Sequence, residues 1–251
     1  VKFSVALVVL RILSSNVSLS NVSAIVTMFW VFAVLSIIIG SLFGLVHNSV
    51  KRMLAYSSIA NAGYLSLAFA SIAANPLAQG AKHALIVYGI IYAILSMGAF
   101  TVIAWVEDQN REDLLKEELS GLGKAKPFAA MGLTVFLLGL GGIPPLAGFI
   151  GKFLLLSTAI SNGFIILSLI LAICSSISLY YYLSLIASVW FKSPTPQSVV
   201  NNQSGETNLG MKFLTALGIL AALWIGILGP QFVLDMDITM ASELELGLPK
   251  N

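Results

Sequence analysis

Two lysines stand inside otherwise apolar stretches, and their chemistry is the first feature to explain. Lys2 lies in 1–13, and Lys152 lies in 146–160. A lysine inside a membrane is costly, so it usually faces a wet interior and takes part in transport. Because burial disfavours the charged form, such an amine can both gain and lose a proton. We therefore predict that Lys152 relays protons. The position of Lys2 is equally consistent with two roles. It could relay protons, or its side chain could extend to the membrane surface.

Lys152 follows a stretch rich in glycine and proline, GLGGIPP at 139–145, which includes Gly141, Gly142, Pro144 and Pro145. Proline removes a backbone donor and breaks the helical hydrogen-bond ladder. Carbonyls freed at membrane depth are tolerated only where protein or water satisfies them, and discontinuous helices mark ion sites in many transporters. A simple kink is the alternative. We expect this break to line a hydrated cavity beside Lys152.

A polar face accompanies this break on a neighbouring apolar stretch. Tyr88, Tyr92 and Ser96 recur at i, i+4 and i+8, so they share one side of a helix. They could hold a file of water or form hydrogen bonds between helices, which is the commoner use. The three tyrosines at 180–182 are interpreted as packing or an aromatic belt.

The composition is that of a membrane protein, with 58% hydrophobic and 10% charged residues. A soluble domain carries about a quarter charged residues. The net charge of +2 and the lack of a basic run with aromatics argue against nucleic acid as a partner. Cys174 is the one cysteine, whereas an iron–sulfur cluster needs about four ligands. We expect no cofactor or metal in this chain, and any redox chemistry in partner chains.

The apolar runs predict an all-α integral membrane protein, multi-pass. The expected parts are the end of a truncated transmembrane helix at 1–13, spans at about 24–47, 51–73, 83–106, 127–160 (broken) and 164–191, a final span at 212–234 and a tail at 235–251. The first of these parts is interpreted as the remainder of a longer helix. The charged stretch 107–126 is predicted to be a surface helix or loop lying against the protein.

Lysine and arginine concentrate on alternate loops, and the positive-inside rule assigns those loops to the cytoplasmic side or its organelle equivalent. We call this side the basic face, and it carries Lys51, Arg52, Arg111, Lys116, Lys124, Lys126, Lys192 and Lys212. The opposite face receives Arg11, Lys82 and Lys250. Arg11 near that face places Lys2 roughly 13–14 Å deeper along its helix, close to mid-membrane. We therefore expect Lys2 and Lys152 on one buried polar path.

Three stretches together resemble the antiporter-like subunits of respiratory complex I, and subunit N (subunit 2) in particular. They are KRMLAYSSI at 51–59 followed by Gly63-Tyr64, GIPPLAGFIGKF at 142–153 and SLYYYL at 178–183. The second is the most specific, since the related subunit M typically has a glutamate where Lys152 stands. The resemblance covers nearly the whole chain, from late in the family's eighth helix to its fourteenth.

This resemblance implies the second half of an inverted-repeat fold, with 24–191 as the second five-helix repeat. It also implies that Lys2 belongs to a central lysine chain and that Lys152 serves a second half-channel. Ser57 lies in the Ser-Ser-Ile motif. Asn61 stands where subunit N usually has a histidine, and asparagine can hydrogen-bond water but cannot titrate.

The function that the resemblance implies is a proton-translocating membrane subunit of a respiratory quinone reductase, with NADH:quinone electron transfer in other subunits. The membrane it implies is a bacterial inner membrane or an energy-transducing organelle membrane. The expected partners are the lipid bilayer, other membrane subunits of the complex (other antiporter-like subunits among them) and the missing N-terminal half. Two alternatives remain open. One is a cation/proton antiporter of the Mrp type or a membrane hydrogenase subunit with the same fold, and the other is a structural subunit that does not pump.

Overall fold

The chain is described by a computed structural model that covers residues 2–14, 22–75, 79–107, 113–194 and 209–245. The helices within these residues are α1 (Lys2–Ser14), α2 (Val22–Val46), α3 (Val50–Ala74), α4 (Gln79–Val106), α5 (Leu122–Ala125), α6 (Pro127–Gly141), α7 (Ala147–Ser161), α8 (Ile165–Phe191) and α9 (Leu209–Glu245). Five of them are long and apolar enough to cross a membrane, namely α2, α3, α4, α8 and the part Leu209–Gly229 of α9.

Helices α6 and α7 together occupy the stretch expected as a broken span. Pro127 begins α6, where its missing N–H is not needed. Each helix has 15 residues and a length of roughly 22 Å, which is less than the hydrocarbon core of about 30 Å. Only the two in succession can therefore cross a membrane.

The end of α9 differs from the expectation. The sequence analysis places a tail from residue 235, whereas the structure continues α9 to Glu245. The segment 231–245 has neither glycine nor proline, and it includes helix-favouring Leu, Met, Ala and Glu residues, so nothing in it stops the helix. The acidic character of the segment misled the prediction.

Helices α2 and α3 form a closely packed antiparallel pair. A Cβ added at Gly40 would lie 2.4 Å from the backbone nitrogen of Ala60, and one added at Gly63 would lie 2.9 Å from that of Ile37. Glycine at these two points lets the two backbones approach, as small residues commonly do in membrane helices. The pair holds α3 at the centre of the bundle, where most of its residues are buried.

The segment 113–121 lies against the turn between α2 and α3. The Val50 N–H donates to the Leu114 carbonyl at 2.8 Å, and the Lys116 N–H donates to the Asn48 carbonyl at 3.0 Å. Ser49 caps α3 through the Arg52 N–H and donates to Asp113 at 2.5 Å. Turns make up much of this segment, and the short helix α5 follows it. Residues 108–112 of the charged stretch lie outside the described residues.

Two apolar clusters fill the bundle on either side of Lys152. The cluster nearer the basic face includes Met53, Leu95, Phe136 and Leu185. The cluster nearer the opposite face includes Leu67, Ile72, Leu85, Leu155 and Leu167. Large apolar side chains on α2, α8 and α9, such as Phe32, Ile166 and Trp224, are exposed on the outside, as expected for surfaces that face lipid or neighbouring membrane subunits.

Candidate functional site: the broken helix and Lys152

The end of α6 is closed by a Schellman motif. Gly142 has φ +84°, and its N–H donates to the Gly139 carbonyl at 2.9 Å and to the Leu138 carbonyl at 3.0 Å. The Ile143 N–H donates to the same Leu138 carbonyl at 3.1 Å. This pattern needs a residue without Cβ at position 142. It terminates α6 at Gly141, inside the helical bundle.

Lys152 donates to a carbonyl at the end of α6. Its Nζ lies 3.0 Å from the Gly141 oxygen and 2.8 Å from Ser175 Oγ on α8. The side chain is 9% exposed, and its amine lies 5.5 Å from the centre of the Tyr64 ring, a distance typical of a cation–π contact. The negative end of the α6 dipole also favours a cation at this point. Lys152 thus occupies the protein interior and not the lipid-facing surface.

A second set of polar side chains lies next to Lys152, on α3, α4 and α8. The Tyr88 hydroxyl donates to Asn61 Oδ1, and the Asn61 amide donates to the Ser57 carbonyl at 2.7 Å and to Ser57 Oγ at 3.2 Å. Ser57 Oγ is hydrogen-bonded in turn to the Tyr182 hydroxyl. These four residues form one continuous buried network across three helices, which is the interhelical use of polar groups in bundles.

A small cavity separates this network from Lys152. Its lining residues are Asn61, Tyr88, Ile91, Tyr92, Leu95, Gly139, Leu140, Gly148 and Lys152. The cavity volume of about 10 Å³ is near the minimum that one water molecule needs. Polar groups of Asn61, Tyr88 and Lys152 surround it, so a water there has partners. Hydration of the break itself, at 141–145, stays a prediction.

The predicted site residues are brought together in part. The structure places Ser57, Asn61, Tyr88, Tyr92 and Lys152 around one region of the interior. Ser96 is not among the residues that line the cavity beside Lys152, and its hydroxyl donates to the Ala93 carbonyl of its own helix at 3.2 Å. The side chain of Lys2 lies outside the described side chains, so a path from it to Lys152 stays a prediction.

Sequence reasoning missed three residues of this region on α8 and α3. Ser175 accepts directly from Lys152, Tyr182 closes the hydrogen-bonded network, and the ring of Tyr64 faces the amine. Tyr180 is 67% exposed, and the interpretation of 180–182 as packing or a belt overlooked the polar role of buried Tyr182. The spacing of Ser175, Ser178 and Tyr182 marks one helical face and would have indicated it.

The polar groups of the site are hydrogen-bonding groups. Within the described residues no group of three or more His, Cys, Asp or Glu side chains could hold a metal ion. The polar atoms around Lys152 are hydroxyls, an amide and a carbonyl, and all of these can hydrogen-bond water or a protonated amine.

Residues 1–178 match the family described as "NADH:quinone oxidoreductase/Mrp antiporter, TM". The chain belongs to this family. This finding confirms the resemblance drawn from 51–59, 142–153 and 178–183.

The relatives within the NADH:quinone oxidoreductase/Mrp antiporter family carry names of two enzyme complexes. The chain is 40% identical over 163 residues to NADH-quinone oxidoreductase subunit N of Trichlorobacter lovleyi, covering 65% of this chain and 32% of that protein. It is 38% identical over 175 residues to F(420)H(2) dehydrogenase subunit N of Methanosarcina mazei, covering 66% of this chain and 34% of the relative. The chain thus spans about a third of the length of these curated relatives.

Solved structures agree with this family assignment. A chain of respiratory complex I from Thermus thermophilus with bound aureothin aligns with TM-score 0.69 and 29% identity, over 81% of this chain and 44% of that chain. A chain of the Mrp complex from Dietzia sp. aligns with TM-score 0.70 and 21% identity, over 87% and 47% of the two chains, and shows the fold alone. These likenesses confirm the predicted all-α, antiporter-like integral membrane fold.

Proposed function

We propose that this chain is a proton-translocating membrane subunit of a respiratory quinone reductase, in which Lys152 accepts and releases the transported proton. Electron transfer from NADH to quinone takes place in other subunits. The observation that carries the proposal is a buried lysine at a break between two apolar helices. Its amine donates to the carbonyl at the end of one helix and to a serine hydroxyl. The names of the relatives, subunit N of NADH-quinone oxidoreductase and of F(420)H(2) dehydrogenase, point to the same class of complex.

The surroundings of Lys152 suit a group that changes its protonation state. Both hydrogen-bond partners of its amine are neutral, the Gly141 carbonyl and the Ser175 hydroxyl. In the part of the chain that the structure describes, ion pairs join Lys51 to Glu107 and Arg52 to Asp113, and Lys152 has none. A fixed carboxylate partner would hold the proton in place, whereas neutral dipoles let the amine exist in both forms.

Replacing Lys152 tests this function. Lys152→Ala should reduce coupled proton transport by the assembled complex in vesicles while quinone reduction and assembly persist. Lys152→Arg should fail as well, because arginine stays protonated and cannot relay. Lys124→Ala, at an exposed lysine of α5, is the matched control and should pump normally. Normal pumping by both Lys152 variants would reject the relay and leave a structural subunit.

A second candidate function is a cation/proton antiporter subunit of the Mrp type. It is favoured by the family description, which names both classes. The two functions require different partner chains in one membrane complex. Affinity purification of the chain from its native membrane should recover quinone reductase subunits together with other antiporter-like subunits. Recovery of antiporter subunits alone would favour the Mrp assignment.

A further inference from the structure

A crevice of about 550 Å³ opens at the basic face, between α2, α8 and the segment 113–121. Tyr181 lines it and lies ten residues before the end of α8 at Phe191, so the crevice extends roughly 15 Å along that helix. Sites that hold small molecules typically have volumes of about 300–1,000 Å³. The crevice is therefore large enough for a ligand of that size.

The charged side chains that line the crevice are Lys116, Glu117 and Lys192. Among the described residues none of the three is in an ion pair, and the two ion pairs of the basic face lie at the start of α3. Burial lowers the pKa of Lys116, which means that its amine has lost part of its hydration and gains from an anion nearby. Two amines and one carboxylate leave a single excess positive charge, so a ligand with one negative charge complements the crevice.

Uncharged polar groups of the lining differ in how they are used. Ser188 is engaged within the protein, since its hydroxyl donates to the Lys116 carbonyl at 3.3 Å and is hydrogen-bonded to Ser120 Oγ at 3.1 Å. Asn48 and Ser184 are exposed at the crevice. An amide and a hydroxyl can both donate to and accept from the hydroxyl groups of a ligand.

The crevice is open towards the outside of the bundle, where the surface is apolar. Leu45 of α2 and Tyr180 of α8 line it and are 38% and 67% exposed. Leu42 and Leu183 lie one helical turn from these residues, on the same sides of α2 and α8, and are exposed as well. A ligand seated among the charges thus has apolar helix surface beside it, on which hydrocarbon chains can lie.

We propose that this crevice binds the headgroup of a membrane phospholipid that carries one negative charge and free hydroxyl groups, the chemistry of phosphatidylglycerol. The phosphate lies between Lys116 and Lys192, and the headgroup hydroxyls bond the Glu117 carboxylate, Asn48 and Ser184. Basic pockets between membrane helices on the cytoplasmic side suit anionic headgroups. A zwitterionic headgroup would leave the excess positive charge unbalanced. The site is separate from Lys152, and the proposal does not depend on the relay function.

Photochemical cross-linking in vesicles tests which lipid occupies the crevice. A benzoylphenylalanine replaces Leu45 in the assembled complex, and the vesicles contain equal amounts of phosphatidylglycerol, phosphatidylethanolamine and phosphatidylcholine. We expect position 45 to capture phosphatidylglycerol several-fold more often than either other lipid. The control is the same replacement of Leu217, which is 55% exposed on α9, a helix that packs on α4, α6 and α7. Position 217 should capture the three lipids in nearly equal amounts.

Two pairs of lysines provide matched charge variants for the cross-link at position 45. Lys116→Gln with Lys192→Gln removes both crevice amines and should abolish the preference for phosphatidylglycerol. Lys124→Gln with Lys126→Gln removes the same charge from the same face outside the crevice lining and should leave the preference intact. Lys116→Arg with Lys192→Arg keeps both charges and should retain the preference, which separates loss of charge from disturbed folding.

Three results would overturn the proposal. The first is equal capture of the three lipids at position 45, and the second is a preference for phosphatidylethanolamine, which would indicate a zwitterionic ligand. The third is a cross-link from position 45 to protein alone, which would mean that another subunit covers the crevice. Lys152→Ala should keep the lipid preference. Loss of the lipid preference and loss of the relay are therefore distinguishable results.

Discussion

The amine of Lys152 is held by neutral dipoles at the end of α6. The Gly141 carbonyl belongs to the last turn of that helix, where carbonyls lack partners within the helix. A cation at a helix C-terminus gains roughly 0.3–1 kcal/mol, and up to about 2 kcal/mol where the site is partly buried. Ser175 supplies the second acceptor, at 2.8 Å. These contacts stabilise the charged amine without a counter-charge, so proton release leaves no unpaired carboxylate behind.

Ser175 is predicted to matter for transport through its contact with Lys152. A hydrogen bond to a charged group contributes about 1.5–3 kcal/mol, so Ser175→Ala should slow the Lys152-dependent transport by roughly tenfold or more. Ser175→Thr keeps the hydroxyl and should retain much of the rate. The matched control is Ser176→Ala, since Ser176 is exposed and donates to the Ala172 carbonyl of its own helix. Similar rates for Ser175→Ala and Ser176→Ala would contradict the contact's role.

At the scale of single residues, the sequence indicates some members of the site and hides others. Lys152 is recognisable because a lysine in an apolar run is costly. Asn61 and Ser57 emerge only through the resemblance to the complex I subunits. Ser175 and Tyr64 escape notice because serine and tyrosine are common in membrane helices, and only the packing of α3 against α8 shows that they face the amine.

Glycines set how closely the broken helix approaches its neighbours. A Cβ on Gly148 would lie 1.8 Å from the Gly139 carbonyl oxygen, so α6 and α7 can meet at this point only without a side chain. A Cβ on Gly226 of α9 would lie 2.0 Å from the Pro145 oxygen. The break is therefore fixed by contacts on both sides, and those contacts place Lys152 opposite Gly141.

Gly148→Ala is predicted to destabilise the subunit, because the backbone of α6 or α7 must move to make room. Overpacking of this kind typically costs about 1–3 kcal/mol, and a clash with a backbone oxygen is harder to relieve than one with a side chain. Gly210→Ala is the matched control, since no atom lies within 4 Å of an added Cβ there. Thermal denaturation of the assembled complex should show a lower midpoint for Gly148→Ala alone. An unchanged midpoint would mean that the two helices separate easily.

At the scale of elements, composition predicts where a helix is interrupted better than where a helix ends. The cluster of glycines and prolines at 139–145 predicts the interruption, and the structure has α6 ending at Gly141 and α7 beginning at Ala147. The end of α9 is not predictable in this way, because 231–245 combines an acidic composition with good helix formers. Close contacts such as that of Gly148 with Gly139 depend on tertiary packing and cannot be inferred from glycine content.

Across the whole molecule, a layer of buried polar side chains lies between the two apolar clusters. The cluster near the basic face and the cluster near the opposite face are both closely packed, and Tyr92 packs against both. Ser57, Asn61, Ser175 and Lys152 lie between them. Polar groups in such a layer satisfy one another or water, since lipid offers them no partner. The exposed apolar surfaces of α2, α8 and α9 isolate this layer from the outside.

The orientation of the whole chain follows from its loop charges, and α6 and α7 make it testable. Ala125 precedes α6 on the basic face, and Ser161 ends α7; both residues are exposed. If the two helices cross the membrane in succession, these residues lie on opposite sides; if they form a re-entrant hairpin, both lie on one side. In a Cys174→Ala parent, we predict that an impermeant thiol reagent outside sealed vesicles, with the cytoplasmic or equivalent side inward, labels Ser161→Cys.

Ala125→Cys should react in the same vesicles only after permeabilisation, because the positive-inside rule places the basic face within. The Cys174→Ala parent itself should not react, because Cys174 is the one cysteine of the sequence. Labelling of both variants from outside would indicate a hairpin, and the reverse order of labelling would invert the chain. A hairpin would remove the crossing that gives Lys152 two sides of the membrane to serve. The orientation of the chain thus decides which side of the membrane the basic face adjoins, and with it the direction of proton transfer through Lys152.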